Sequence, residues 1–221
     1  MSPMEVTRLP GLVVRTIAVG GMDNNVYLLT VAGGDQLLID AAAEPEAIEA
    51  LLTSAADDAD APHLRYLLTT HSHHDHIGAL AAVAPAHPGT ETLAGDADAD
   101  AITAATGVPI TRRLQHGDTI PLGEVTLDVI GLRGHTPGSV AIACTLPGVP
   151  TQVFTGDSLF PGGVGNTGRD PQRFGSLFSD VVSRLFERYR GDDAVVRPGH
   201  GKPTTLGAER PHLAEWEARG W

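Results

Sequence analysis

A single cysteine, Cys144, stands in this chain of 221 residues, which excludes an intramolecular disulfide and a thiolate metal cluster. It lies in the apolar run 140–144, where a small buried residue is expected rather than a nucleophile. Positive charge is also scarce: 15 Lys plus Arg face 27 Asp plus Glu, a formal net charge of -12. That sign is wrong for neutralising a phosphate backbone, so nucleic acid is not an expected partner. No apolar run approaches the roughly 18 residues of a membrane span, so no membrane partner is expected. The amino terminus, with Glu5 and Arg8 ahead of a short mixed stretch, lacks the basic start and long apolar segment of a secretory leader. A cytoplasmic location follows as the expectation.

With 42% hydrophobic and 19% charged residues the chain is globular, and its length suits one large domain or two closely packed halves. Apolar runs at 11–19, 26–30, 36–39, 64–70, 125–130, 139–145, 151–155 and 194–197 read as strands, several continuously apolar as buried strands are. Helical patterns cover 45–55, 77–83, 96–105 and 177–190. In the last, Leu177, Val181 and Leu185 recur on one face, with Ser176 placed to cap the start and Arg188 and Arg190 suiting the end. The order suggests two αβ halves meeting near 106–113, with helices covering sheet. Pattern alone leaves open whether one sheet or two are present.

Directly after the strand at 64–70 comes His71-Ser72-His73-His74-Asp75-His76, four of the ten histidines within six residues. In an extended segment positions i and i+2 project to one side, so His71 and His73 can grip one ion, and a turn then redirects Asp75 and His76. Imidazole and carboxylate are the ligand set that zinc, iron and manganese accept. A solvated tract would have no reason to sit at the end of a buried strand and the mouth of a helix, where open sheets place ligand crevices. His74 points away from His73 and is read as a non-ligand. Three further candidates follow apolar strands in glycine-rich turns: His135 in GHTPGS, Asp157 in TGDS and His200 in PGHG.

The H-x-H-x-D-H motif with a downstream His, Asp and last His resembles the metallo-β-lactamase fold superfamily, over most of the chain. GHTPGS, TGDSLFPGG and PGHG resemble its hydroxyacylglutathione hydrolase (glyoxalase II) branch of small-molecule hydrolases. The resemblance implies an α/β fold, an αββα sandwich of two mixed sheets flanked by helices, with 1–221 as a single domain. It implies two divalent cations, zinc first, with iron or manganese as substitutes. His71, His73 and His135 would hold one, Asp75, His76 and His200 the other, with Asp157 between them. Asp40, matching a supporting Asp of the superfamily, would fix ligand orientation; a helix-cap or turn role competes, because Glu44 and Pro45 open a helix just after it.

Two cations about 3.5 to 4 Å apart lower the pKa of a shared water toward 7, making hydroxide available for attack on a carbonyl carbon. Asp75 would orient that nucleophile or shuttle its proton. The expected activity is hydrolysis of a small ester-like substrate, a thioester first. A lactonase would use the same machinery, and a mononuclear iron persulfide dioxygenase is the alternative from another reaction class. Only about twenty residues follow His200, so the glutathione-gripping helical domain typical of glyoxalase II is not expected. The family's G-x-G-R segment reads Gly163-Val164-Gly165-Asn166-Thr167, and Ile142 replaces an aromatic residue. Substrate contacts are then expected from loop 160–170, with Phe160, Arg169 and Phe174 as candidates. The segment 208–221, with Trp216 and Trp221, reads as a packed tail or an oligomer contact.

Overall fold

The computed structural model describes residues 4–220; Trp221 and the first three residues of the amino-terminal segment lie outside the described residues. Seven strands form the first sheet in chain order: β1 Glu5–Leu9, β2 Leu12–Val19, β3 Asn24–Val31, β4 Asp35–Ile39, β5 His63–Thr69, β6 Glu91–Gly95 and β7 Arg112–Leu114. Its first four strands pair antiparallel and its last four parallel. The parallel crossovers carry helices, as chain geometry demands: α1 Pro45–Ser54, α2 His74–Ile77, α3 Leu80–Ala86 and α4 Asp96–Thr106.

The second sheet holds β8 Thr119–Leu122, β9 Val125–Gly131, β10 Val140–Cys144, β11 Gln152–Gly156, β14 Val195–Pro198 and β15 Thr204–Thr205. A short ribbon, β12 Leu159–Phe160 with β13 Gly163–Val164, projects beside it. Helices α5 Pro171–Val181, α6 Leu206–Glu209 and α7 Leu213–Arg219 complete the chain. The parallel β11–β14 pair makes this sheet mixed as well. The architecture is two mixed sheets face to face with helices outside.

Strand periodicity explains the layers, since alternate residues face opposite sides. Leu37 and Ile39 of β4 join Val129, Ile142 and Phe154 between the sheets. Their neighbour Leu38 turns outward against Ile48 and Leu51 of α1 and Leu80 of α3. On the other flank Ala141, Val153 and Val196 meet Leu177, Val181, Leu185 and Phe186. Each buried Leu or Ile contributes roughly 1.5–3 kcal/mol of transfer free energy. Cys144 is buried in the inter-sheet core. Trp216 packs edge-on against Phe186, their ring centroids 6.3 Å apart. No helix among the described residues is long and apolar enough to cross a membrane.

Three expectations are corrected. The chain leaves the first sheet after Leu114 and enters the second at Thr119, past the expected 106–113, because β7 adds a parallel edge strand beside β6. The expected helix 77–83 divides at Gly78, where a Cβ would lie 2.6 Å from the Ala42 carbonyl oxygen. The long helix starts at Pro171, not at Ser176: Asp170 caps it by accepting from the backbone N–H groups of Gln172 (2.8 Å) and Arg173 (3.1 Å). It closes through a π-helical turn, Val182–Glu187, which turns both Leu185 and Phe186 inward.

Candidate metal centre

β5 ends at Thr69, and the chain runs out of the sheet to His73, whose backbone is extended and precedes α2. His71 Nε2 and His73 Nδ1 come within 3.1 Å. The α2 turn then swings Asp75 and His76 to the adjoining point, while 92% of the His74 side chain is exposed, in keeping with a non-ligand. The second sheet supplies the rest from three loops. His135, after β9, brings Nε2 to 3.2 Å from His71 Nε2. Asp157, after β11, places Oδ1 3.4 Å from His76 Nε2 and Oδ2 3.6 Å from His135 Nε2. His200, after β14, has Nε2 3.2 Å from Asp75 Oδ2, 3.4 Å from Asp157 Oδ2 and 3.3 Å from His76 Nε2. Three groups result, each with ligand atoms within 4.8 Å of one another: His71, His73 and His135; His71, His76 and Asp157; and Asp75, His76 and His200. All seven expected residues therefore converge.

The donor set suits cations. Nitrogen atoms facing each other at 3.1 to 3.3 Å can share at most one proton per pair, and a positive centre between them satisfies the lone pairs left over. Asp157 Oδ1 is buried without a hydrogen-bond donor, although it faces the cluster. Burial, followed by repulsion from His76, pushes His71 far below the usual imidazole range, and burial likewise lowers His73 and His135. Neutral imidazole is the ligating form. Burial would raise Asp157, but the neighbouring His200 and His76 imidazoles hold it well below the usual carboxylate range. Burial also opposes charge on His76, yet Asp40 and Asp157 together push it up to about 10.

Neighbouring groups fix the candidate ligands. His135 Nδ1 donates to the Asn166 carbonyl oxygen at 2.7 Å, leaving Nε2 toward the cluster, and His200 Nδ1 donates to the Met22 carbonyl oxygen at 2.8 Å with the same effect. Asp40 accepts from His76 Nδ1 (2.8 Å), from Thr70 N (2.7 Å) and from Thr70 Oγ1 (2.8 Å), while the N-cap position of α1 falls to Glu44. Asp40 does so with φ at 61°, a left-handed conformation costing of order 1 kcal/mol or more outside glycine. Gly199 permits the close approach, since a Cβ there would fall 2.2 Å from Asp157 Oδ1 and 2.8 Å from His76 Cε1.

Sequence reasoning missed Asn24. Its side chain is buried at the start of β3, and Nδ2 donates to Asp75 Oδ2 at 2.9 Å while standing 3.4 Å from Nε2 of both His76 and His200. The signal available was the polar run Asp23-Asn24-Asn25 opening an apolar strand. Among the substrate candidates, Phe160 sits beside the centre, its ring 6.5 Å from that of His200. Arg169 is exposed, and Asp170 is spent on capping α5. The Phe174 ring stacks on Phe178 at 5.6 Å and lines a groove with Leu213, on the face of α5 turned toward α7.

The family model of the metallo-β-lactamase superfamily matches residues 19–200, from the end of β2 to the last histidine of the cluster. The chain belongs to the metallo-β-lactamase superfamily. Among superfamily members of this kind, the hydroxyacylglutathione hydrolase of Anaeromyxobacter dehalogenans is 37% identical over 182 residues, 81% of this chain and 62% of that protein. The chain thus spans under two thirds of that relative's length. The crystal structure of TTHA1623 in a di-iron-bound form is similar at TM-score 0.66 and 33% identity, over 88% of this chain and 96% of that one. ETHE1 from Myxococcus xanthus is similar at TM-score 0.73 and 25% identity, over 90% and 82%.

Proposed function

We propose that this superfamily enzyme is a dinuclear metal-dependent hydrolase of a small ester-like carbonyl substrate, a thioester before a lactone. The observation that carries the reading is the pair of triads, His71/His73/His135 and Asp75/His76/His200, with Asp157 bordering both at 3.4 to 3.6 Å. The 37% identical relative bears the name hydroxyacylglutathione hydrolase, and the likeness to a di-iron-bound structure supports two cations, with zinc, iron and manganese all compatible with the donors. In this reading the whole chain works as one domain in the cytoplasm.

When bound, two divalent cations supply hydroxide at neutral pH and electrostatic stabilisation of a developing oxyanion. The chain's own residues do the rest. Asp157 draws the two triads together from the second sheet. Asp75, held by the Asn24 amide, offers a carboxylate for the proton released during attack. Phe160 forms an apolar wall beside His200 against which a substrate carbon chain can rest. No serine or cysteine nucleophile is needed: Ser139 is engaged with Thr136 in a turn, and Cys144 lies buried with its thiol pushed up to about 11 by that burial.

A second reading, the mononuclear iron persulfide dioxygenase, is compatible with the likeness to ETHE1. The complete Asp75/His76/His200 triad favours the dinuclear hydrolase. The experiment is a panel of thioesters, lactones and persulfides assayed with wild type, His71→Ala and Asp157→Ala. Thioester hydrolysis lost in both variants is the expected result. Full turnover in the variants, or oxygen consumption with a persulfide in place of hydrolysis, would refute it.

A further inference from the structure

Asp98 is the third residue of α4, 1% exposed, and its carboxylate reaches away from its own helix. Oδ2 accepts from Ser72 N at 2.8 Å and from Thr136 Oγ1 at 2.6 Å, and Oδ1 accepts from Gly138 N at 2.8 Å. Ser72 lies between His71 and His73, and Thr136 and Gly138 follow His135. One buried carboxylate therefore joins the histidine pair at the end of the first sheet to the histidine supplied by the second.

The packing around it leaves little freedom. A Cβ on Gly138 would fall 2.4 Å from Asp98 N and 2.8 Å from its Oδ1, and a Cβ on Gly95 would fall 1.9 Å from the Gly138 carbonyl oxygen. The donors are ordered too. Thr136 gives its hydroxyl proton to Asp98, so at 2.6 Å Ser139 Oγ donates to Thr136 Oγ1, and Ser139 Oγ in turn accepts from Thr136 N at 3.1 Å. Among the described residues no Lys or Arg pairs with Asp98. Its carboxylate is held by three hydrogen bonds in the first turn of α4, and a buried carboxylate without a cationic partner favours positive charge nearby.

We propose that Asp98 is the positioning residue of the His71/His73/His135 site, fixing the spacing of its three imidazoles across the two sheets and balancing a divalent transition-metal cation held there. The assignment rests on the proposed ligand set. In Asp98→Asn an amide N–H must face at least one of the backbone N–H groups of Ser72 and Gly138, whichever way the amide turns. Thr136→Val removes one donor and leaves the carboxylate.

Zinc affinity by chelator competition, the visible spectrum of the cobalt-loaded protein and melting of the metal-free chain together form the test. In Asp98→Asn one of two zinc affinities falls about 10- to 100-fold, as for other groups that orient metal ligands. The other stays within twofold, and the cobalt spectrum changes. Thr136→Val gives a smaller loss at the same site and decides the matter should Asp98→Asn not fold. Unchanged affinities at both sites, whether or not melting falls, would overturn the assignment and leave the metal centre standing. A wild-type chain that takes up no zinc would overturn both.

Discussion

Asp40 Oδ2 stands 2.8 Å from Nδ1 of His76, and both side chains are withdrawn from solvent. The pairing commits the Nδ1 proton to Asp40 and turns Nε2 toward Asp75, Asp157 and His200. Asp40 also receives the Thr70 N–H and hydroxyl, so it couples the end of β5 to the metal centre. Asp40→Ala is expected to weaken one of two cations about 10- to 100-fold by chelator competition. It should also lower stability by about 1–3 kcal/mol in urea unfolding, because Thr70 N is left buried without an acceptor.

Gly199→Ala tests the closeness of the loops. Its new methyl would start 2.2 Å from Asp157 Oδ1, so Asp157 or the β14 turn must move. At least a tenfold loss of hydrolysis is expected, with metal retention falling in parallel on dialysis.

Arg15 and Asp58 supply a pH-dependent contribution far from the metal centre. Arg15 Nη2 bonds Asp58 Oδ1 at 2.9 Å, and the carboxylate has none of its surface exposed. The hydrogen bond from Arg15 lowers the Asp58 pKa in the folded chain. A carboxylate with a depressed folded pKa stabilises fully above its unfolded value of about 3.9, and that contribution disappears as pH falls through the folded value. Asp58→Asn should therefore cost about 1.5–3 kcal/mol at pH 7, with the gap to wild type narrowing below pH of about 4. Denaturant unfolding across that range measures it.

Cys144 should be silent. It is buried in the inter-sheet core, and burial raises its thiol to about 11. An aromatic disulfide reagent should label it only after unfolding, and Cys144→Ala should keep its turnover while losing packing.

Phe160→Ala addresses the substrate wall. With the ring beside His200 removed, KM is expected to rise several-fold while kcat holds within about twofold, the pattern of lost uniform binding. Steady-state kinetics on the best thioester separates the two constants.

Long, continuously apolar strands were legible because burial on both faces writes itself into composition: β3 runs Asn24–Val31 and is buried throughout. The convergence of the candidate residues was legible because His71 to His76 are adjacent in sequence and the other three follow apolar strands. Short edge strands were not. Arg112–Leu114 carries two arginines and Thr119–Leu122 carries a proline, both tolerated only where one side of the strand is unpaired. Asn24 escaped because a single amide has no spacing partner, and it meets Asp75 across 51 residues of chain. Where the Phe174 ring points was not legible, because its sequence proximity to loop 160–170 says nothing of helix phase. The capping of α5 by Asp170 sets that phase and turns the ring toward α7.

Metal content at saturation tests the central claim most directly, measured by elemental analysis on wild type and on Asp157→Ala after removal of excess metal. Two equivalents per wild-type chain, with one or fewer in Asp157→Ala, is the predicted result. A single equivalent in wild type, or two retained without Asp157, would contradict the dinuclear account.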